Sequence, residues 1–258
     1  MEEIAKTHRR GRTAGQFSNS WPDKSAERYD DWFATNLGRL SLEMEGQAIF
    51  SLAAIRAGET ALDLGCGTGV FSLEAARRGA RTVGVDISPA MLAAANAKAE
   101  SFDLPVSFLE ADAESLHFPA GGLDLVLAIT TLCFTGRPDA VLREAFRVLR
   151  PGGRIVIGEL NRISYWAWLR RMKGLFREGS YRHARFFSFF ELNALLAQAG
   201  FQRGRGESLI FFPPVNSSLI LKQSKRFEAI GNRLLPGGGA FLAIRADKAA
   251  NSKESGDS

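Results

Sequence analysis

The stretch TALDLGCGTGVFSLEAARRGARTVGVDIS, residues 60–88, constrains the fold of this chain more than any other. An apolar run at 61–64 ends in three glycines, Gly65, Gly67 and Gly69. A helical pattern follows at 70–78, with Gly79 placed to end it, and a second short apolar run at 81–85 leads to Asp86. A strand that feeds a helix through a glycine turn and returns as another strand is a parallel βαβ unit. Glycine has no Cβ to hold the backbone away from a ligand, so such a turn is also a candidate binding loop.

The alternation continues. Residues 89–101 read as an alanine-rich helix with Ser88 at its N-cap and Pro89 in its first turn. Strands are expected at 106–110 and at 123–129, where LDLVLAI is apolar enough to lie mid-sheet. A helix at 138–149 and a turn at Pro151, Gly152 and Gly153 precede a fifth strand at 154–159. Residues 188–200 have a serine N-cap, Glu191 three residues later and a closing glycine, the pattern of a capped helix. Strands at 209–212 and 241–246 flank a helical segment at 222–235. Ahead of the glycine loop, residues 25–56 have the spacing of one or two lead-in helices. The expected fold class is α/β, with one domain over 25–247, a flexible basic arm over 1–24 and a disordered polar tail over 248–258.

Composition narrows the function. A net charge of +5 is modest, and His8, Arg9, Arg10 and Arg12 cluster without interleaved aromatic residues, so a solvated arm is favoured over nucleic-acid binding. Two cysteines, Cys66 and Cys133, cannot build a disulfide framework or a zinc site; they read as small buried residues in a reducing cytosol. The N-terminal residues lack an apolar signal core and no apolar run reaches bilayer-spanning length, so a cytoplasmic protein without a metal is expected.

Two ligand classes compete for the loop. Dinucleotide sites use GxGxxG, whereas here the third glycine comes one place early and Val70 stands where the fingerprint glycine would be. Asp63, two residues before Gly65, would repel a pyrophosphate and attract a ligand with an amino group and a sulfonium. Asp86 can accept hydrogen bonds from a ribose diol in either class.

Taken in order, ALDLGCGTG, VGVDIS, LEADAESLHF, LDLVLAITTLCF and RVLRPGGRIVIGE resemble the class I S-adenosylmethionine-dependent methyltransferases, within the type-11 group that includes quinone-biosynthesis enzymes. The resemblance is strong over about residues 60–160 and looser to about 202. It implies a Rossmann-like, seven-stranded sheet, five strands parallel plus a C-terminal antiparallel pair, with helices on both faces. It implies S-adenosyl-L-methionine as cofactor and a cofactor-binding core over 58–160. By position, Asp63, Gly65, Gly67 and Gly69 would hold the methionine part, Asp86 the ribose, and Ile87 the adenine face. Asp112, with Ala113 beside it, would meet the adenine amino group, Ile129 and Thr130 would lie near the sulfonium, and Tyr29, or Trp32 near it, would cover the methionine end.

Methyl transfer to an already activated carbon needs alignment and exclusion of water, and a base only where the nucleophile keeps its proton. No universal catalytic residue follows; Glu159, Tyr181 and His183 are candidates. Residues 161–187, rich in aromatic side chains and arginines, match a segment that forms a lid over the acceptor in resembling enzymes. The expected acceptor is a small or lipid-like molecule, with peripheral membrane contact through 162–187 as one reading and an amphipathic helix packed on the core as the other. A non-catalytic cofactor-binding regulator and a nicotinamide-dependent oxidoreductase are the rival functions.

Overall fold

The computed structural model describes residues 25–174 and 184–250. Two helices lead in, α1 (Ser25–Ala34) and α2 (Asn36–Ala53). Thr35 caps α2, its side chain accepting from the Gly38 N–H at 3.0 Å. The parallel unit follows as β1 (Thr60–Leu64), α3 (Val70–Arg77), β2 (Arg81–Asp86), α4 (Pro89–Ser101), β3 (Val106–Glu110), β4 (Leu123–Ile129), a 3-10 turn at Leu132–Phe134, α5 (Pro138–Val148) and β5 (Leu149–Leu160). The remainder is α6 (Tyr165–Gly174), α7 (Phe189–Gln198), β6 (Arg205–Leu209), α8 (Ser218–Leu221), α9 (Ser224–Leu234) and β7 (Phe241–Asp247).

The seven strands form one sheet in the order β3-β2-β1-β4-β5-β7-β6. β3 through β5 run parallel, and β7 pairs antiparallel with both β5 and β6. The order reverses direction between β1 and β4, the crevice where open α/β sheets take ligands at their carboxyl edge.

Pleat alternation sorts the core into two layers. On β4, Val126 and Ala128 join a cluster with Val141, Leu142 and Ala145 of α5 and Leu192 and Leu196 of α7. Leu125, Leu127 and Ile129 point the other way, against Ile49, Phe50 and Ala53 of α2 and Phe71 and Ala75 of α3. Helices therefore cover both faces. Each fully buried leucine or isoleucine contributes roughly 1.5–3 kcal/mol over an exposed one. Arg154 on β5 lies in this interior and is neutralised by Glu59, Nη2 to Oε2 at 2.6 Å.

Three boundaries differ from expectation. Pro151, Gly152 and Gly153 do not form a separate turn; β5 begins at Leu149, opposite Leu123, and loops out residues before Arg154 meets Leu125. Gly152, at φ +76°, permits that bulge. The penultimate strand, expected at 209–212, lies instead at Arg205–Leu209, because Ile210 takes φ +69° and leaves extended backbone. The segment expected at 222–235 is α9 at Ser224–Leu234, and a separate short helix, α8 at Ser218–Leu221, precedes it, with Lys222 and Gln223 between them. The capped helix is as expected: Ser188 Oγ accepts from the Glu191 N–H and Glu191 Oε2 from the Ser188 N–H, a reciprocal capping box. The arm at 1–24 and residues 251–258 of the tail expected at 248–258 lie outside the described residues, while Lys248 is tied to the fold, its Nζ donating to the Phe146 and Leu149 carbonyls at 2.7 Å each.

Candidate functional site

A cavity of about 440 Å³ opens at the carboxyl ends of β1, β2 and β4. Its lining includes Tyr29, Gly65, Gly67, Asp86, Ile87, Ser88, Met91, Asp112, Ala113, Thr130, Thr131 and Phe134. The floor is the glycine loop. Gly65, Gly67 and Gly69 all have positive φ, but their surroundings differ. A Cβ on Gly65 would lie 2.7 Å from Thr131 Cγ2, and one on Gly69 2.8 Å from Phe108 Cζ, whereas Gly67 has nothing within 4 Å. The outer two glycines thus let protein pack on protein, and Gly67 turns its bare backbone toward open space. Val70 begins α3 and packs against the core on the α2 side.

Asp86 closes the loop. Its Oδ2 accepts from the Gly67 N–H at 2.9 Å and its Oδ1 from the Ser88 N–H at 2.8 Å. Burial pushes its carboxyl up, against the pull of those backbone bonds. Asp112 accepts from the Glu114 N–H at 2.8 Å through Oδ1, which fixes the carboxylate at the cavity wall. Thr130 sits at φ +51°, an uncommon conformation for a β-branched residue, held by its N–H to the Gly158 carbonyl at 2.7 Å. Thr131 Oγ1 donates to the Leu64 carbonyl at 2.6 Å and joins the ends of β1 and β4 beneath the cavity.

Asp63 lies deeper than a direct ligand contact requires. It is 2% exposed and accepts from Ser72 Oγ of α3 at 2.5 Å. Burial, with Asp86 nearby, pushes its carboxyl up to about 7 despite that hydrogen bond.

Eight of the eleven expected cofactor residues line the cavity: Tyr29, Gly65, Gly67, Asp86, Ile87, Asp112, Ala113 and Thr130. Asp63, Gly69 and Ile129 lie outside the lining, Asp63 under α3, Gly69 against Phe108, and Ile129 in the α2-side core. Of the catalytic candidates, Tyr181 and His183 fall outside the described residues. Glu159 is fully buried behind the 3-10 turn, where Oε1 accepts from the Cys133 N–H at 3.3 Å. Burial pushes it up to about 8, which keeps it neutral at pH 7. Asn161 bonds the carbonyls of Gly237 and Gly239 at 2.7 Å each, a structural tie. Both cysteines are buried thiols, pushed up by burial. Among the described residues no group of His, Cys, Asp and Glu could hold a metal ion, and no helix is long and apolar enough to cross a membrane.

One arrangement escapes a reading of the sequence. Thr68 Oγ1 donates to Asp30 Oδ1 at 2.9 Å, and Lys98 Nζ donates to both, at 2.7 Å to Asp30 and 2.9 Å to Thr68. This three-way contact fastens α1 to the loop and to α4 and so sets Tyr29 at the cavity. The only sequence signal is an acid beside Tyr29 in RYDDWF.

The family model described as a methyltransferase domain matches residues 62–157. An uncharacterized protein of Methanocaldococcus jannaschii is 30% identical over 229 residues, which cover 88% of this chain and 98% of that protein. The crystal structure of an S-adenosylmethionine-dependent methyltransferase of Thermotoga maritima superposes with a TM-score of 0.69 at 26% identity, covering 88% of this chain and 97% of its own. The chain belongs to the class I S-adenosylmethionine-dependent methyltransferases. The cofactor of this family is S-adenosyl-L-methionine, and the crevice between β1 and β4 is where its fold leaves room. The chain spans 61% of the length of the first curated relatives that it matches, uncharacterized mycobacterial proteins 35% identical over 185 residues. The demethylmenaquinone methyltransferase of Thermus thermophilus is 46% identical over 114 residues, 42% of this chain and half of that enzyme.

Proposed function

We propose that this protein transfers a methyl group from S-adenosyl-L-methionine to a small, lipid-like acceptor. The observation that carries the reading is the cavity at the β1/β4 crevice, with a bare glycine backbone on its floor and two fixed carboxylates on its walls. The bound cofactor supplies an electrophilic methyl on a sulfonium. Asp86 keeps lone pairs free of its two backbone bonds to accept the ribose diol, and Asp112 keeps Oδ2 for the adenine amino group. Ile87, 40% exposed at the cavity, offers an apolar face to the base. Asp63 adds negative charge beneath the amino and sulfonium groups.

The protein's own contribution is then alignment and exclusion of water, with Tyr29 covering one end and Phe134 and Thr130 the other. The carboxylates of the described lining, Asp86, Asp112 and Glu114, each accept a backbone N–H, so the reading assigns them to holding the loop and cofactor and favours an acceptor whose nucleophile needs little help to lose its proton. Segment 161–187 is the proposed acceptor lid and the proposed place of membrane contact. Its described part buries Trp166, whose Nε1 donates to the Phe212 carbonyl at 2.7 Å, and leaves Tyr165 and Trp168 stacked and 55% exposed. The curated relative that acts on demethylmenaquinone supports the lipid-like class, through the shared core alone.

The test is transfer of a labelled methyl from S-adenosyl-L-methionine to a panel of quinols, phospholipid headgroups and small amines, beside calorimetry with S-adenosylhomocysteine. Micromolar binding and product from at least one lipid-like acceptor are expected. Absence of any heat or thermal shift with either form of the cofactor would remove the reading. Binding without turnover across the panel would leave the regulator reading.

A further inference from the structure

Twelve large apolar side chains stand exposed among the described residues, and nine of them fall in two stretches, 161–174 and 210–240. They include Ile163 at 65%, Trp168 at 55%, Leu219 and Leu234 at 69%, and Leu235 at 68%. The same stretches hold eight lysines and arginines and one acid, Glu228, a net +7 in a chain of net +5, so all other residues together sum to −2. The Glu228 carboxylate is held by the Ile210 and Phe211 N–H groups, and its charge is already counted in the +7. Arg162 is partly engaged by Glu191 at 2.9 Å. The modest overall charge therefore hides a strong asymmetry.

The two stretches are one surface. Residue 161 follows β5, residue 210 follows β6 and residue 240 leads into β7; Leu160 and Leu209 both pair with Phe241, so all three junctions sit at the carboxyl edge of the sheet. Asn161 and Trp166 of the first stretch donate to Gly237, Gly239 and Phe212 of the second. The cavity opens at this same edge, from the neighbouring β4 to β2.

We propose that this cationic apolar face seats the protein on an anionic phospholipid bilayer, with the mouth of the cavity beside the headgroups. Its composition separates it from other occupants. Seven of the nine exposed side chains are aliphatic or Met, which fill acyl-chain space but offer no stacking platform to a nucleobase. A second copy of the chain would bring the same excess of positive charge against itself. Leucine and isoleucine beside lysine and arginine match instead an interface that is apolar within and negative at its rim. The proposal stands on this surface alone; joined to the methyl-transfer reading, it makes the bilayer the source of the acceptor.

The experiment is flotation of the full chain with vesicles of equal parts phosphatidylcholine and phosphatidylglycerol, against phosphatidylcholine alone. The protein is expected to partition at least about tenfold more strongly to the anionic vesicles, and less so as salt rises. Arg226→Gln with Arg233→Gln, on the exposed side of α9, should lower that partition about tenfold or more. Leu219→Ser with Leu234→Ser should lower it on both vesicle types. Both double variants should keep the wild-type thermal shift with S-adenosylhomocysteine, which shows that the fold and the cavity are intact. Equal partition to neutral and anionic vesicles, wild-type partition by either double variant, a dimer that resists vesicles, or oligonucleotide binding unaffected by the serine pair would each overturn the proposal. Loss of the cofactor response in the wild type, with vesicle binding retained, would sink the methyl-transfer reading and leave the docking face standing.

Discussion

Asp86→Ala separates two roles of one side chain. In the protein without ligand the carboxylate holds the Gly67 and Ser88 N–H groups at 2.9 and 2.8 Å. Those bonds exist before and after ligand arrives, so their loss should appear as instability, about 1–3 kcal/mol for charge-assisted bonds that water can partly replace. The ribose diol would use the remaining lone pairs, and those bonds form only on binding. Two hydroxyl-to-carboxylate bonds at about 1.5–3 kcal/mol each, discounted for water entering the truncated site, leave a loss of about 2–4 kcal/mol. That is roughly 30- to 1000-fold in affinity. Calorimetry with S-adenosylhomocysteine and with adenosine alone reads it: both should weaken by the same factor, because both present the diol. Adenosine unaffected while S-adenosylhomocysteine weakens would move Asp86 to the methionine end. A loss under about fivefold for both would refute the assignment, leaving Asp86 as a loop anchor alone.

Asp63, near 7 in the free protein, should make S-adenosyl-L-methionine affinity rise about tenfold from pH 6 to pH 8, since the deprotonated form attracts the cation; Asp63→Asn should flatten that rise in calorimetry. Glu159 is raised from 4.5 to about 8 by burial, so the stability from its neutral form is full below the unfolded value and lost as pH climbs through 8. Melting temperature should therefore fall as pH rises from about 4.5 to 8, and Glu159→Gln should flatten that fall, with a stability gain over wild type of at most about 2 kcal/mol at pH 6 and about 5 kcal/mol at pH 9. Gly69→Ala, at φ +80° with its new Cβ 2.8 Å from the Phe108 ring, should cost about 1–3 kcal/mol in a denaturant melt and weaken cofactor binding by displacing the loop.

What was legible in the sequence divides by the range of the interaction that fixes it. The capping box at Ser188 and Glu191, the alternation in LDLVLAI and the spacing of the glycines are local, and each element appears where those signals put it. The clamp of Asp30, Thr68 and Lys98 joins positions 38 and 68 residues apart, and nothing local at any of the three announces it. Ile210 turns left-handed because Phe212 must reach the Trp166 side chain and Ala240 must bond back to the Ile210 carbonyl, constraints that arise only once β6 and β7 are paired. A more instructive case is the pair Asp63 and Ile129, expected at the ligand yet outside the cavity lining. Both sit inside strands whose pleat was readable: Ala61 shares a face with Asp63, and Leu125 and Leu127 share one with Ile129, and that face is the one packed under α2 and α3. Strand parity therefore sends both side chains into the helical layer. The residues that do reach the cavity, Gly67, Asp86, Asp112 and Thr130, are at or just past strand ends, where the pleat no longer dictates direction and backbone groups are free to turn. In this fold the strands set where the loops begin, and the side chains and N–H groups of those loops present the binding surface.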